Sequence, residues 1–218
     1  MNRGLNTIIL TITCLIMGCL VFQASAEEKA AESGKVADVN GTVISQEQFD
    51  REMIPVQEVI QASGKTVSAE DMKLLKKKIL ENMIKSELLY QECQKNKVVI
   101  TDDEINQRLN TEKGKFASEE EFQQRLKALK NDETMYKSQI KRQLAIQRLI
   151  NQKFKPTITD DEAKKYFETN ADKFKNTTFD LAKDGIKKTM GTEKIADSYT
   201  KFYTDVRSKA KVEEFLTE

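Results

Sequence analysis

Apolar residues recur along this chain at steps of three and four. Met72, Leu75, Ile79 and Met83 form one such stripe, widened by Leu80, Ile84 and Leu88. Tyr136, Ile140 and Leu144 begin a second that runs through Leu149 or Ile150 to Phe154, and Ile195, Tyr199, Phe202, Val206 and Ala210 form a third. Lysine and glutamate fill the opposite faces, so each stripe predicts an amphipathic helix with one side in a core. The spacing places helices at 46–62, 69–95, 102–112, 119–129, 132–154, 160–170 and 193–214. A period of two appears at one place. Val36-Ala37-Asp38-Val39 and Thr42-Val43-Ile44 flank Asn40-Gly41, the dipeptide that supplies the positive φ angles of a tight hairpin turn. Only Lys211 to Leu216 looks strand-like after that.

Helix starts repeat one device. Ser45 precedes Gln48 by three residues, Ser68 precedes Asp71, Thr101 precedes Glu104, Ser118 precedes Glu121 and Thr159 precedes Glu162. In such a box the hydroxyl accepts from an orphan backbone N–H, and the side chain three residues on reaches back to the cap's own N–H. Asp71 is shorter than the usual partner. The acidic clusters Asp102-Asp103-Glu104 and Asp160-Asp161-Glu162 suit the positive end of a helix dipole. They lack the glycine-containing loop of a calcium site, so they read as helix starts and not as metal ligands. Pro156 closes the fifth helix. Pro55 falls inside the first, where it either kinks the helix or ends it early.

The first 26 residues stand apart. Arg3 is the only charge before Glu27, an apolar run spans Thr7 to Phe22, and Ala24-Ser25-Ala26 offers a small-residue cleavage site. This predicts a secretory signal peptide cut after Ala26 and a protein of the periplasm, followed by a flexible leader at 27–35. An alternative is a lipoprotein signal. Ile16-Met17-Gly18-Cys19 resembles a lipobox, which makes Cys19 a candidate acylation site and lipid anchor.

Composition then narrows the chemistry. The 218 residues contain 36 basic and 35 acidic residues but no histidine or tryptophan. Without histidine there is no Ser-His-Asp or Cys-His catalysis and no imidazole metal ligand. Loss of Arg3 with the signal leaves 35 basic against 35 acidic residues, which gives no electrostatic reason to expect nucleic acid. With the signal gone, Cys93 alone remains of three cysteines, so no internal disulfide forms and burial must hold the fold. Eight glycines and no phosphate-cradling loop exclude an evident nucleotide site. No cofactor, metal or catalytic residue is expected.

Val39-Asn40-Gly41-Thr42-Val43-Ile44-Ser45, followed by Gln48-Phe49, resembles the opening of the SurA-type N-terminal chaperone domain that fronts many secreted parvulin-type prolyl isomerases. The similarity continues through Leu88-Leu89-Tyr90-Gln91-Glu92-Cys93 and Lys97 to Glu104, then at Phe122, Ile140 to Leu149 and Ile158 to Phe174, and more weakly at 193–216. Cys93 stands where the family often has a small residue. The resemblance implies a mainly α fold: a multi-helix chaperone domain at 36–174 with a short N-terminal β-hairpin, completed by a C-terminal helix at 193–218 that packs back on it. In the isomerases a parvulin module follows the position of Phe174. Here only Lys175 to Thr192 intervene, read as a short loop with a helix around Phe179 to Met190 that replaces the module.

The resulting expectation is an ATP-independent holdase for unfolded secreted or outer-membrane proteins, not an enzyme. Two alternatives stand beside it: an envelope adaptor that binds one folded partner, and a peptidyl-prolyl isomerase. Unfolded polypeptide is the expected partner, and a swapped hairpin or helix offers a route to a homodimer. The candidate client-binding residues are Met53, Ile54, Val56, Val59 and Ile60, too many apolar residues for one narrow stripe. Met72, Met83, Met135 and Met190 complete the adaptable methionines of the body.

Overall fold

A computed structural model describes residues 34–216; the expected signal segment, the cut after Ala26 and Cys19 lie outside the described residues. The chain begins with strand β1 (Lys35–Val39), turns at Asn40-Gly41 and returns as β2 (Thr42–Ser45). Both turn residues have positive φ, 53° at Asn40 and 87° at Gly41, as the dipeptide predicts. Asp38 caps the turn by accepting from the Gly41 N–H at 2.7 Å. A Cβ at Gly41 would meet nothing within 4 Å, so only the backbone angle resists substitution there. Gly41→Val is expected to lower stability by about 1–2 kcal/mol through that strain. A urea midpoint unchanged by the substitution would count against it.

Seven helices follow among the described residues: α1 (Gln46–Ser63), α2 (Ala69–Lys95), α3 (Asp102–Lys113), α4 (Glu119–Ala128), α5 (Glu133–Lys153), α6 (Asp160–Thr169) and α7 (Phe179–Lys209). All five expected cap hydroxyls accept from the N–H three residues on. The reciprocal bond closes at Ser45, Thr101 and Thr159. At Ser68 the short Asp71 takes the hydroxyl proton at 2.9 Å instead. At Ser118, where φ is −152°, Glu121 reaches the N–H of Ala117. A sixth cap is a single acidic residue: Asp132 Oδ1 accepts from the Met135 N–H at 2.7 Å and starts α5. Pro55 neither ends α1 nor prevents it; the helix runs on to Gly64, whose φ of 62° forms the stop.

The last helix differs from its predicted extent. It begins at Phe179, so the helix expected around Phe179 to Met190 is present but continuous with the last one, and only residues 175–178 form the loop. It also ends at Lys209, five residues early. Gly191 within it is buried and does not break the helix; a Cβ there would meet Pro156 Cγ at 3.6 Å, an ordinary contact. Beyond α7 the chain forms β3 (Val212–Glu214), which pairs antiparallel with β1 at Val39↔Val212 and Ala37↔Glu214. The sheet order is therefore β2-β1-β3.

The described residues divide into two compact units, 34–147 with 209–216, and 148–208. In the first, Val36, Ala37, Val39 and Ile44 of the sheet are fully buried together with Phe49 and Val56 of α1 and the long stripe Leu75, Ile79, Met83 of α2. Phe116, Phe122 and Tyr136 form an edge-to-face ladder at 5.4 and 5.6 Å in the same unit. In the second, α7 packs back on the helices before it: Phe202 meets Phe154 edge to face at 5.7 Å, and Lys183 and Lys187 both pair with Asp160 at the start of α6.

Candidate binding surface on the first helix

The Ser45 box fixes where α1 starts, and packing against the hairpin and α2 decides which side chains face inward. Phe49, Glu52, Met53 and Val56, at steps of three, one and three, are the buried residues of the helix. Met53 is 5% exposed and Val56 fully buried, so both belong to the core. Ile54, Val59 and Ile60 fall beside that stripe and stay half-buried. The five candidate residues thus divide between two faces, with three of them left on accessible surface. Across the following loop, Leu74 of α2 is 51% exposed and Met72 half-buried. Met83 is core, whereas Met135 and Met190 are half-buried.

One ion pair ties this helix to α4. Glu58 accepts both guanidinium nitrogens of Arg125 on α4 at 2.7 Å, a bidentate clamp. The hydrogen bond from Arg125 holds the Glu58 carboxyl below its usual range. Glu52, by contrast, is 3% exposed, and burial keeps its carboxyl well above the ordinary range despite the opposing charge of Arg51. The fold therefore prefers Glu52 protonated. That preference contributes stability below the unfolded carboxylate range, and the contribution is lost as pH rises through the higher folded value. Glu52→Gln should be more stable than the parent at about pH 8 and lose that advantage below about pH 4. Urea midpoints of the two proteins measured across this range check it; a constant difference would contradict it.

Behind α1 the unit is tied together by a polar chain that no sequence pattern singled out. Arg142 of α5 pairs with Glu87 of α2 at 2.7 Å, both side chains about 5% exposed or less. The Arg142 guanidinium also lies 4.1 Å from the centre of the Tyr90 ring. Gln91, one turn along α2, donates to Glu87 at 2.8 Å and to the Val39 carbonyl at 3.0 Å. Asn40 donates to Gln91 at 2.8 Å, and its side-chain oxygen accepts from the Lys211 N–H at 2.8 Å. A buried pair thus connects through one amide to the hairpin turn and the returning C-terminal strand. The available signal was an acid, Glu87, three and four residues after Ile84 and Met83 and so on the apolar stripe of α2.

Cys93 is 1% exposed, and burial pushes its thiol up to about 11, an environment for an inert side chain. Among the described residues no group of three or more Asp, Glu, His or Cys could hold a metal ion, and no helix is long and apolar enough to cross a membrane.

Comparison with known proteins places this architecture. A sequence model of the SurA-like N-terminal domain matches residues 1–150. The chain belongs to that family. The match ends close to the Gln147–Arg148 division between the two compact units. Among curated proteins, the foldase protein PrsA of Caldanaerobacter subterraneus subsp. tengcongensis is 25% identical over 177 residues, covering 77% of this chain and 53% of the relative. The foldase protein PrsA of Clostridium botulinum (strain Okra / Type B1) is 28% identical over 186 residues, covering 76% and 55%. The chain spans about half the length of these relatives. At the level of the family, a chaperone-like role is supported.

Proposed function

We propose that this protein is an ATP-independent holdase that binds unfolded secreted or outer-membrane proteins in the periplasm, without prolyl isomerase activity. The observation that carries the reading is the family membership combined with Ile54, Val59 and Ile60, three bulky apolar side chains of one helix left on accessible surface. Apolar surface of this kind binds extended chain without reading its sequence. The connection inside the chain supports the second half of the proposal. The 3-10 turn Ala171–Phe174 is followed by α7 at Phe179, and an inserted module of about a hundred residues has no place between them. The residues 175–192 stand in its position. The signal-like first 26 residues support export, and Cys19 provides for a lipid anchor as the alternative to a free periplasmic protein.

A panel of unrelated chemically denatured proteins tests this. The protein should suppress the aggregation of several of them without ATP and leave the rate of a proline-limited refolding reaction unchanged. Acceleration of that refolding would establish an isomerase. Stoichiometric binding of one folded protein, with no effect on denatured ones, would establish an adaptor.

A further inference from the structure

The unit formed by residues 148–208 carries an apolar groove that the surface of α1 does not explain. It has a volume of about 510 Å3 and lies between α6, the 3-10 turn and α7. Its floor is Ile186, 3% exposed, and its wall is the edge-to-face pair Tyr166 and Phe174 at 6.4 Å. Along α7, Ala182, Gly185 and Thr189 keep one side low. A Cβ on Gly185 would meet nothing within 4 Å, so the glycine leaves space that the protein does not fill. Leu181 at the rim is 80% exposed. The volume falls within the range of about 300–1,000 Å3 that accepts ligand groups.

Charge specifies what fits. No carboxylate lines the groove, and Lys173 stands at its edge with its ammonium 5.9 Å from the centre of the Tyr166 ring. Neighbouring cations are engaged elsewhere: Lys175 with Asp172 at 2.9 Å, and Lys183 and Lys187 with Asp160. Among the described residues no carboxylate pairs with Lys173. Residues 148–208 contain 13 Lys and Arg against 10 Asp and Glu, so the surrounding field also favours an anion. The groove is open along α7 rather than enclosed, a shape that passes an extended backbone and leaves an acyl chain in water on one side.

We propose that this groove binds an extended polypeptide segment in which a bulky apolar side chain adjoins a carboxylate. The apolar group lies on Ile186 beside Tyr166 and Phe174, and the carboxylate pairs with Lys173. This rests on the chaperone reading and names a class of segment the protein retains.

Fluorescence anisotropy of the full chain with two labelled octapeptides tests it, one with a central phenylalanine flanked by glutamates and one with lysines in their place. The acidic peptide should bind about tenfold more tightly. Gly185→Leu fills the groove while replacing glycine by a better helix former, so folding is kept, and it should weaken the acidic peptide about tenfold or more. Lys173→Glu should reverse the preference between the peptides. Equal binding of both peptides, or unchanged binding by Gly185→Leu, would overturn the proposal. So would binding of laurate with neither peptide bound, or self-association abolished by Gly185→Leu without peptide binding. Aggregation suppression by the same proteins separates the two claims. Suppression by the parent with neither peptide bound removes the groove alone, whereas absent suppression removes the holdase reading whatever the peptides do.

Discussion

Glu87→Gln is expected to lower the unfolding free energy by about 3–5 kcal/mol, the cost of leaving a buried charge without its counter-ion. Arg142, about 5% exposed, would lose the carboxylate 2.7 Å away and keep a desolvated guanidinium. Typical domains hold only about 5–15 kcal/mol in total, so one substitution removes a large share of the margin. The chain of contacts adds to the loss. Gln91 donates to the same carboxyl, and through Asn40 it reaches the Lys211 backbone, so the hairpin turn and the returning strand loosen together. Replacing both partners by apolar residues of similar volume, Glu87→Leu with Arg142→Met, should recover most of the stability, because neither charge is then left desolvated. Urea unfolding of the single and double variants decides. A single variant within about 1 kcal/mol of the parent would show that the pair contributes little.

The second large effect is on binding. Ile54→Glu together with Val59→Glu should shift the concentration for half-maximal suppression of client aggregation by about tenfold or more. Each apolar side chain that a client covers contributes about 1–2 kcal/mol, so removing two exceeds one decade in affinity. Both residues are half-buried and lie beside the core stripe of Phe49, Met53 and Val56, so helical circular dichroism must be retained for the loss to be read as binding. Ile54→Ala with Val59→Ala adds no charge and should give a smaller shift in the same direction.

What could be read from the sequence was local. The caps at Ser45, Thr101 and Thr159 need only four consecutive residues, and Asn40-Gly41 needs two, so neither depends on the rest of the fold. The strand β3 shows in the sequence only as a strand-like stretch, because three residues become a strand through partners 173 to 177 positions away, Val39 through Ala37. The pair of Glu87 with Arg142 joins residues 55 apart, and spacing along one helix carries no trace of it. On α1 the excess of apolar residues was legible. Which of them the core would claim was not, since that depends on the Arg125 clamp from α4 and on the packing of α2. Met53 and Val56 went inward for that reason, and Ile54, Val59 and Ile60 remained. The groove beside Gly185 has no sequence signal for the same reason: Tyr166, Phe174 and Ile186 come from three elements, and no single periodic stripe groups them.

The aggregation of two unrelated denatured proteins, followed by light scattering without nucleotide, tests the holdase reading most directly when the parent and the Ile54→Glu, Val59→Glu variant are compared side by side. The expected result is suppression of both clients by the parent and little of either by the variant, at equal helical circular dichroism. Equal suppression by the two proteins, or none by the parent, would contradict it.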